Sequence, residues 1–120
     1  MSQEFTLMGN NANGIKNKLE SLKNNLKQFS PSLITLQETK LKVKGQIKLP
    51  GYQIFEQIRK DKSGGGLLTA IDENLDPALI TENDQVELLT IQLTIGNLKV
   101  KSINAYGPQE VDDTETKLDF

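Results

Sequence analysis

The sequence predicts an α/β fold, a βαβ unit followed by mainly antiparallel strands. Three observations predict it. Ile15, Leu19, Leu22, Leu26 and Phe29 form one apolar stripe at helical spacing, set between two short apolar runs. The second of those runs, Ser32–Gln37, does not alternate strictly, as suits a strand covered on both faces. Further on, Val86–Ile95 and Leu98–Tyr106 alternate around the two-residue turn Gly96-Asn97, a strong hairpin signal.

Taken in order, the first strand is expected at Phe5–Met8, with the segment GNNANG (9–14) as a loop after it. Asn13 is the candidate N-cap of the helix. Ser30-Pro31 stops it, and Lys16, Lys23, Asn24 and Lys27 occupy its solvated face. Strand, helix and strand within about 35 residues make a βαβ unit, whose two strands run parallel. Residues 41–51 read as loop, and Tyr52–Ile58 alternates weakly. Ser63-Gly64-Gly65-Gly66 reads as a turn, Leu67–Ile71 as a strand, and Pro77 as a breaker. In the hairpin, Leu89, Ile91, Leu93 and Ile95 share the more apolar face and should point to the core. The tail GPQEVDDTETKLDF is acidic and reads as loop or the start of a helix.

Composition narrows the chemistry. A chain of 120 residues suits one small domain, or part of a larger one. It contains no Cys and no His, which excludes disulfides, thiolate sites and Ser-His-Asp catalysis built from this chain. Any metal must take oxygen ligands, as magnesium, manganese and calcium do. No secretory leader is apparent, and no stretch approaches the roughly 20 apolar residues of a membrane span. The expectation is a soluble, intracellular protein. Net charge is −2 but uneven: residues 1–62 carry 11 Lys/Arg against 5 Asp/Glu, and residues 63–120 carry 3 against 11. Such asymmetry fits a half that faces nucleic acid, and equally fits lysines decorating a helix and its loops.

Several residues stand where chemistry collects. Ligands bind at the carboxyl ends of parallel strands, and there the first strand delivers Asn11 and the second Glu38. An amide and a carboxylate at one edge can share a hard cation. Alternatively, Asn11 and Asn13 shape a loop and cap a helix, and Glu38 is an exposed strand-end carboxylate. The glycine run 64–66 lacks the Lys-Ser/Thr of a phosphate loop and reads as a turn. Tyr106, ahead of Gly107-Pro108, reads as an aromatic anchoring a turn, or as a hydroxyl that can donate to a phosphate oxygen.

Four segments in order carry a resemblance: NANGIK, LITLQETK, LPGYQIFEQIRKDKSGGGLLTAI and INAYGPQ. Together they resemble the endonuclease/exonuclease/phosphatase superfamily, in the branch of AP endonucleases, exonuclease III and LINE-type retrotransposon endonucleases. The resemblance implies a two-sheet, DNase I-like α/β sandwich and a phosphodiesterase that uses Mg²⁺ or Mn²⁺ on DNA. It implies that Glu38 is a metal ligand, that Asn11 lies beside metal and phosphate, and that Asn13 assists through water. It implies that Tyr106 contacts the scissile phosphate. Gln109 stands where relatives often have Asn, and Lys40 and Arg59 stand where relatives place basic groups near substrate.

The departure is at the C-terminal side. Family domains also carry G-D-x-N and S-D-H motifs, and neither occurs here; Asp112, Asp113 and Asp119 lie in no matching context. The resemblance therefore implies a partial domain over residues 1–120, equivalent to the first half of the sandwich, with one sheet face lacking its partner sheet and with little or no activity alone. The alternative is a non-catalytic remnant that binds nucleic acid or a protein partner.

Overall fold

The structure is a computed structural model that describes residues 6–58, 65–83 and 87–106. Its elements are β1 (Leu7–Asn11), α1 (Leu19–Phe29), β2 (Leu33–Gln37), β3 (Tyr52–Gln57), β4 (Leu67–Asp72), β5 (Ala78–Asn83), β6 (Glu87–Ile95) and β7 (Leu98–Tyr106). A four-stranded sheet has the order β1-β2-β4-β3, and a three-stranded sheet has the order β5-β6-β7. β1 and β2 are parallel, and every other pairing is antiparallel.

The βαβ expectation holds, because Leu19, Leu22 and Leu26 recur at helical spacing and bury against the sheet. Ile34, Leu36, Leu68 and Ala70 form the sheet side of that layer, and Leu41, Ile47 and Leu49 from the loop after β2 complete it. Leu33, Leu67 and Ile71 project to the opposite face and pack on Leu89, Ile91 and Leu93 of the second sheet. Alternate residues of β2 and β4 thus enter two separate cores, which explains why neither strand alternates between apolar and polar residues.

Four expectations change. The first strand runs Leu7–Asn11 instead of Phe5–Met8, because pairing with β2 continues to Asn11↔Gln37. Asn13 is not the helix cap. It adopts φ 46, a single 3-10 turn (Lys16–Lys18) intervenes, and Lys18 precedes α1. Phe29 leaves the buried stripe and is exposed, since α1 has ended by Ser30, whose left-handed backbone donates its N–H to Leu26 O. The first sheet does not lack a partner: β6 and β7 lie against β2, β3 and β4, and a strand after Pro77, β5, completes the second sheet. The hairpin is as expected, with Leu89, Ile91 and Leu93 buried. The expectation of a turn over 63–66 falls partly outside the described residues. Among the described residues, no helix is long and apolar enough to cross a membrane.

Candidate active site

One end of the sandwich gathers most of the polar side chains of interest. Register across the first sheet aligns Asn11 with Gln37, Gln37 with Leu67, and Leu67 with Gln57. In the second sheet, Glu87 opens β6 opposite Tyr106, the last residue of β7. Side chains tie the two sheets together at this end. Gln37 Nε2 donates to Asn104 Oδ1 at 2.6 Å, the Leu88 N–H to Gln57 Oε1 at 2.9 Å, and the Gly66 N–H to Glu87 Oε1 at 2.6 Å.

At the carboxyl edge of the parallel pair, Asn11 Nδ2 donates to Glu38 Oε2 at 2.7 Å. A bond this short to a carboxylate is charge-assisted and stronger than a neutral one. Asn11 Oδ1 accepts from the Asn13 N–H at 3.0 Å. Both ends of the amide are thereby used, and the pattern fixes its orientation: the oxygen takes the N–H and the nitrogen meets the carboxylate. Lys40 Nζ donates to Asn13 Oδ1 at 2.8 Å and extends the chain of bonds.

The backbone here is unusual. Asn13, Glu38 and Lys40 have φ of 46, 55 and 59, and Gly14 has φ 93. Asn tolerates this region, whereas for Glu and Lys it costs about 1–3 kcal/mol each. Such conformations persist where neighbours over-determine them. Gly14 N–H donates to Glu38 O at 2.8 Å, Ile15 N–H to Thr39 O at 3.0 Å, and Lys40 N–H to Gly65 O at 2.8 Å. The end of β2 is thus gripped on both sides. Its turn out of the extended conformation brings the Glu38 carboxylate to Asn11.

Of the residues expected at a site, the structure brings Asn11, Asn13, Glu38 and Lys40 into one hydrogen-bonded group. The backbone of Tyr106 ends β7 at the same end of the sandwich. Arg59 and Gln109 lie outside the described residues. Sequence reading missed Gln37, Gln57, Glu87 and Asn104. Only Asn104 had a readable signal: it occupies an inward position of β7, opposite Leu89, where an apolar residue is the rule.

The donor chemistry fits a hard divalent cation in kind, since carboxylate and amide oxygens are what such ions take. It is short in number: among the described residues, no group of three or more acidic, His or Cys side chains could hold a metal. An open groove of about 690 Å³, lined by residues that include Lys23, Leu49, Tyr52 and Ile54, lies at the other end of the sheet. There Tyr52 stands opposite Asp72, far along β4 from Leu67.

No protein-family model matches the sequence, and no curated protein does. Solved structures do match. An AP endonuclease from Leishmania major superposes with a TM-score of 0.70 at 19% identity, over 95% of this chain and 43% of that one. The endonuclease domain of TRAS1, a telomere-specific non-LTR retrotransposon, gives 0.66 at 14% identity, over 92% of this chain and 49% of that one. The 3′ phosphatase NExo from Neisseria, bound to product DNA hairpin, gives 0.58 at 22% identity, over 86% and 41%. This chain therefore spans less than half the length of each of these structures. What these likenesses define is a shared fold, the DNase I-like α/β sandwich. The chain carries that fold in part.

Proposed function

We propose that this chain is the N-terminal portion of a divalent-metal-dependent phosphodiesterase that cleaves DNA, of the retrotransposon endonuclease type. The observation that carries the proposal is the 2.7 Å Asn11–Glu38 bond at the carboxyl edge of two parallel strands. Ligands of α/β sheets collect at such edges. The order of the four sequence motifs and the likeness in fold to DNA endonucleases support the phosphodiesterase reading, of which the retrotransposon type is the finer part proposed.

In this reading Glu38 is the carboxylate ligand of Mg²⁺ or Mn²⁺, and Asn11 stands beside it. A bound divalent cation supplies positive charge where negative charge develops on the phosphate. Asn11 holds the Glu38 carboxylate through its Nδ2, and Asn13 holds Asn11 through its backbone N–H. Asn11 Oδ1 accepts one N–H, from Asn13, and keeps a second lone pair that would be available to a cation. Lys40 brings an ammonium to the rim, where it attracts a phosphodiester. Tyr106, Arg59 and Gln109 are assigned to substrate: the tyrosine to the scissile phosphate, the other two to its surroundings. The residues that activate water and protonate the leaving group belong to G-D-x-N and S-D-H motifs, which these 120 residues lack. The chain alone is therefore expected to hold metal and DNA without turnover.

Mn²⁺ titration of the 120-residue protein, followed by amide relaxation, tests the metal reading. Selective broadening around Asn11 and Glu38 that Glu38→Gln abolishes is the expected result. Uniform broadening, or broadening that ignores Glu38→Gln, would sink it. Plasmid nicking by this chain with Mg²⁺, lost in Glu38→Ala, would overturn the expectation that it does not turn over alone. A second reading, a non-catalytic module that binds nucleic acid, is favoured by the exposed Lys40, Lys42 and Lys44 beside Glu38. It predicts salt-dependent DNA binding indifferent to Glu38→Ala and to metal.

A further inference from the structure

Asn104 is 1% exposed, yet it is a polar residue on the inward face of β7, between the two sheets. Its Nδ2 lies 3.2 Å from Leu36 O, 3.0 Å from Leu68 O and 3.2 Å from Thr69 Oγ1, and its Oδ1 accepts from Gln37 Nε2 at 2.6 Å. These four contacts reach β2 and β4 from a strand of the other sheet. Leu36 O and Leu68 O are backbone groups, so the amide reads the position of the two strands themselves. A buried amide left without partners is costly, and so the network admits one alignment of β7 on β2 and β4. A sheet interface made only of Leu and Ile side chains is less directional, because burial of apolar area has no preferred angle.

The location gives this lock a consequence. Gln37 immediately precedes Glu38, and Asn104 stands two residues before Tyr106. We infer that Asn104 is a positioning residue of this site: the polar contacts of its amide with β2 and β4 fix β7 against them, and so set where Tyr106 stands relative to Glu38. The inference rests on the reading of Glu38 and Tyr106 as parts of one phosphodiesterase site. The other buried polar residue of β7 does not share the role. Ser102, also on β7 and 1% exposed, has a hydroxyl with no hydrogen-bond partner among the described residues, and it bridges nothing.

The test uses the absence of cysteine. A nitroxide on Lys42→Cys, an exposed loop residue four positions after Glu38, labels the β2 side of the site alone. In Asn104→Leu, which keeps the branched heavy-atom shape and removes the amide's polar contacts, the relaxation enhancement of the Asn104–Tyr106 amides should fall at least twofold or split into several values. That of Leu36–Glu38 should stay as in the parent. Ser102→Val, buried on the same strand, should leave both unchanged. A folded Asn104→Leu with the parent's enhancement at Tyr106 would overturn the inference. An equal shift in Ser102→Val would do the same, since it would make the effect one of packing alone. Should Asn104→Leu fail to fold, Gln37→Leu removes the 2.6 Å bond from the other side. It must then show the same selective loss, and an unchanged profile overturns the inference. Mn²⁺ relaxation on the same samples separates the two claims. No selective effect at Glu38 in the parent defeats the phosphodiesterase reading, while the nitroxide result still decides whether Asn104 aligns the sheets.

Discussion

Gly66 adopts φ +97, and a Cβ there would lie 2.5 Å from Thr39 Oγ1. Thr39 is buried beside Glu38, and its hydroxyl finds no partner among the described residues, so it has no polar contact to trade for the displacement. Gly66→Ala should therefore destabilise the fold by about 1–3 kcal/mol, read from the urea midpoint, through backbone strain and the close approach together. It should also weaken the Mn²⁺ response at Glu38, because Thr39 N–H bonds Gly66 O. Tyr52 offers a pH test at the other end of the sheet. Its hydroxyl donates to Pro31 O at 2.6 Å. Burial first, and the Asp72 carboxylate second, hold its pKa above the ordinary value. The folded state thus favours the protonated phenol. The resulting stability is present below the unfolded tyrosine pKa of about 10 and is lost as pH rises through the higher folded value. Tyr52→Phe should cost about 1 kcal/mol at neutral pH. Its melting temperature should converge with that of the parent as the pH is taken above about 10.

Among the elements, α1 ends in a way that can be improved. Ser30 carries the left-handed C-terminal conformation at φ 45, where Gly is favoured because it has no Cβ to crowd the carbonyl. Its hydroxyl contact to Leu26 O, at 3.4 Å, returns little. Ser30→Gly should raise stability by about 0.5–1 kcal/mol, seen as a higher melting temperature with unchanged helical circular dichroism. The β6–β7 hairpin follows the same logic at its turn, where Gly96 supplies φ 62 at the first central position. These two ends were legible because turn and cap preferences are local. The helix start was not legible. Asn13 has the composition of a cap, but the Lys40 ammonium and the Asn11 contact recruit it to the loop between the strands.

At the scale of the whole molecule, the lysines and the site lie on related surface. Lys40, Lys42 and Lys44 are exposed in the loop that leaves β2. If DNA is the partner, the isolated chain should bind a short duplex with an affinity that falls steeply with salt. Replacing the three lysines by glutamate should flatten the salt slope and weaken binding by at least tenfold in fluorescence anisotropy at low salt. Equal binding by the parent and the charge-reversed protein would show that this loop does not face nucleic acid.

The sequence by itself determined the elements whose signal is periodic and local. The stripe of Leu19, Leu22 and Leu26, the doubly apolar β2 and the Gly96 hairpin were readable because side-chain direction repeats every 3.6 or every 2 residues. The motif order also marked Asn11, Asn13, Glu38 and Lys40, which the fold then joined. Tertiary structure alone decided that the first sheet has a partner, that Glu38 takes a left-handed backbone, and that Gln37 meets Asn104 across 67 residues of chain. Those outcomes depend on which strand lies opposite which, a matter of long-range packing and hydrogen-bond satisfaction. No local pattern encodes that pairing. A polar residue at an inward strand position shows only that some partner must exist, and the fold supplies which one.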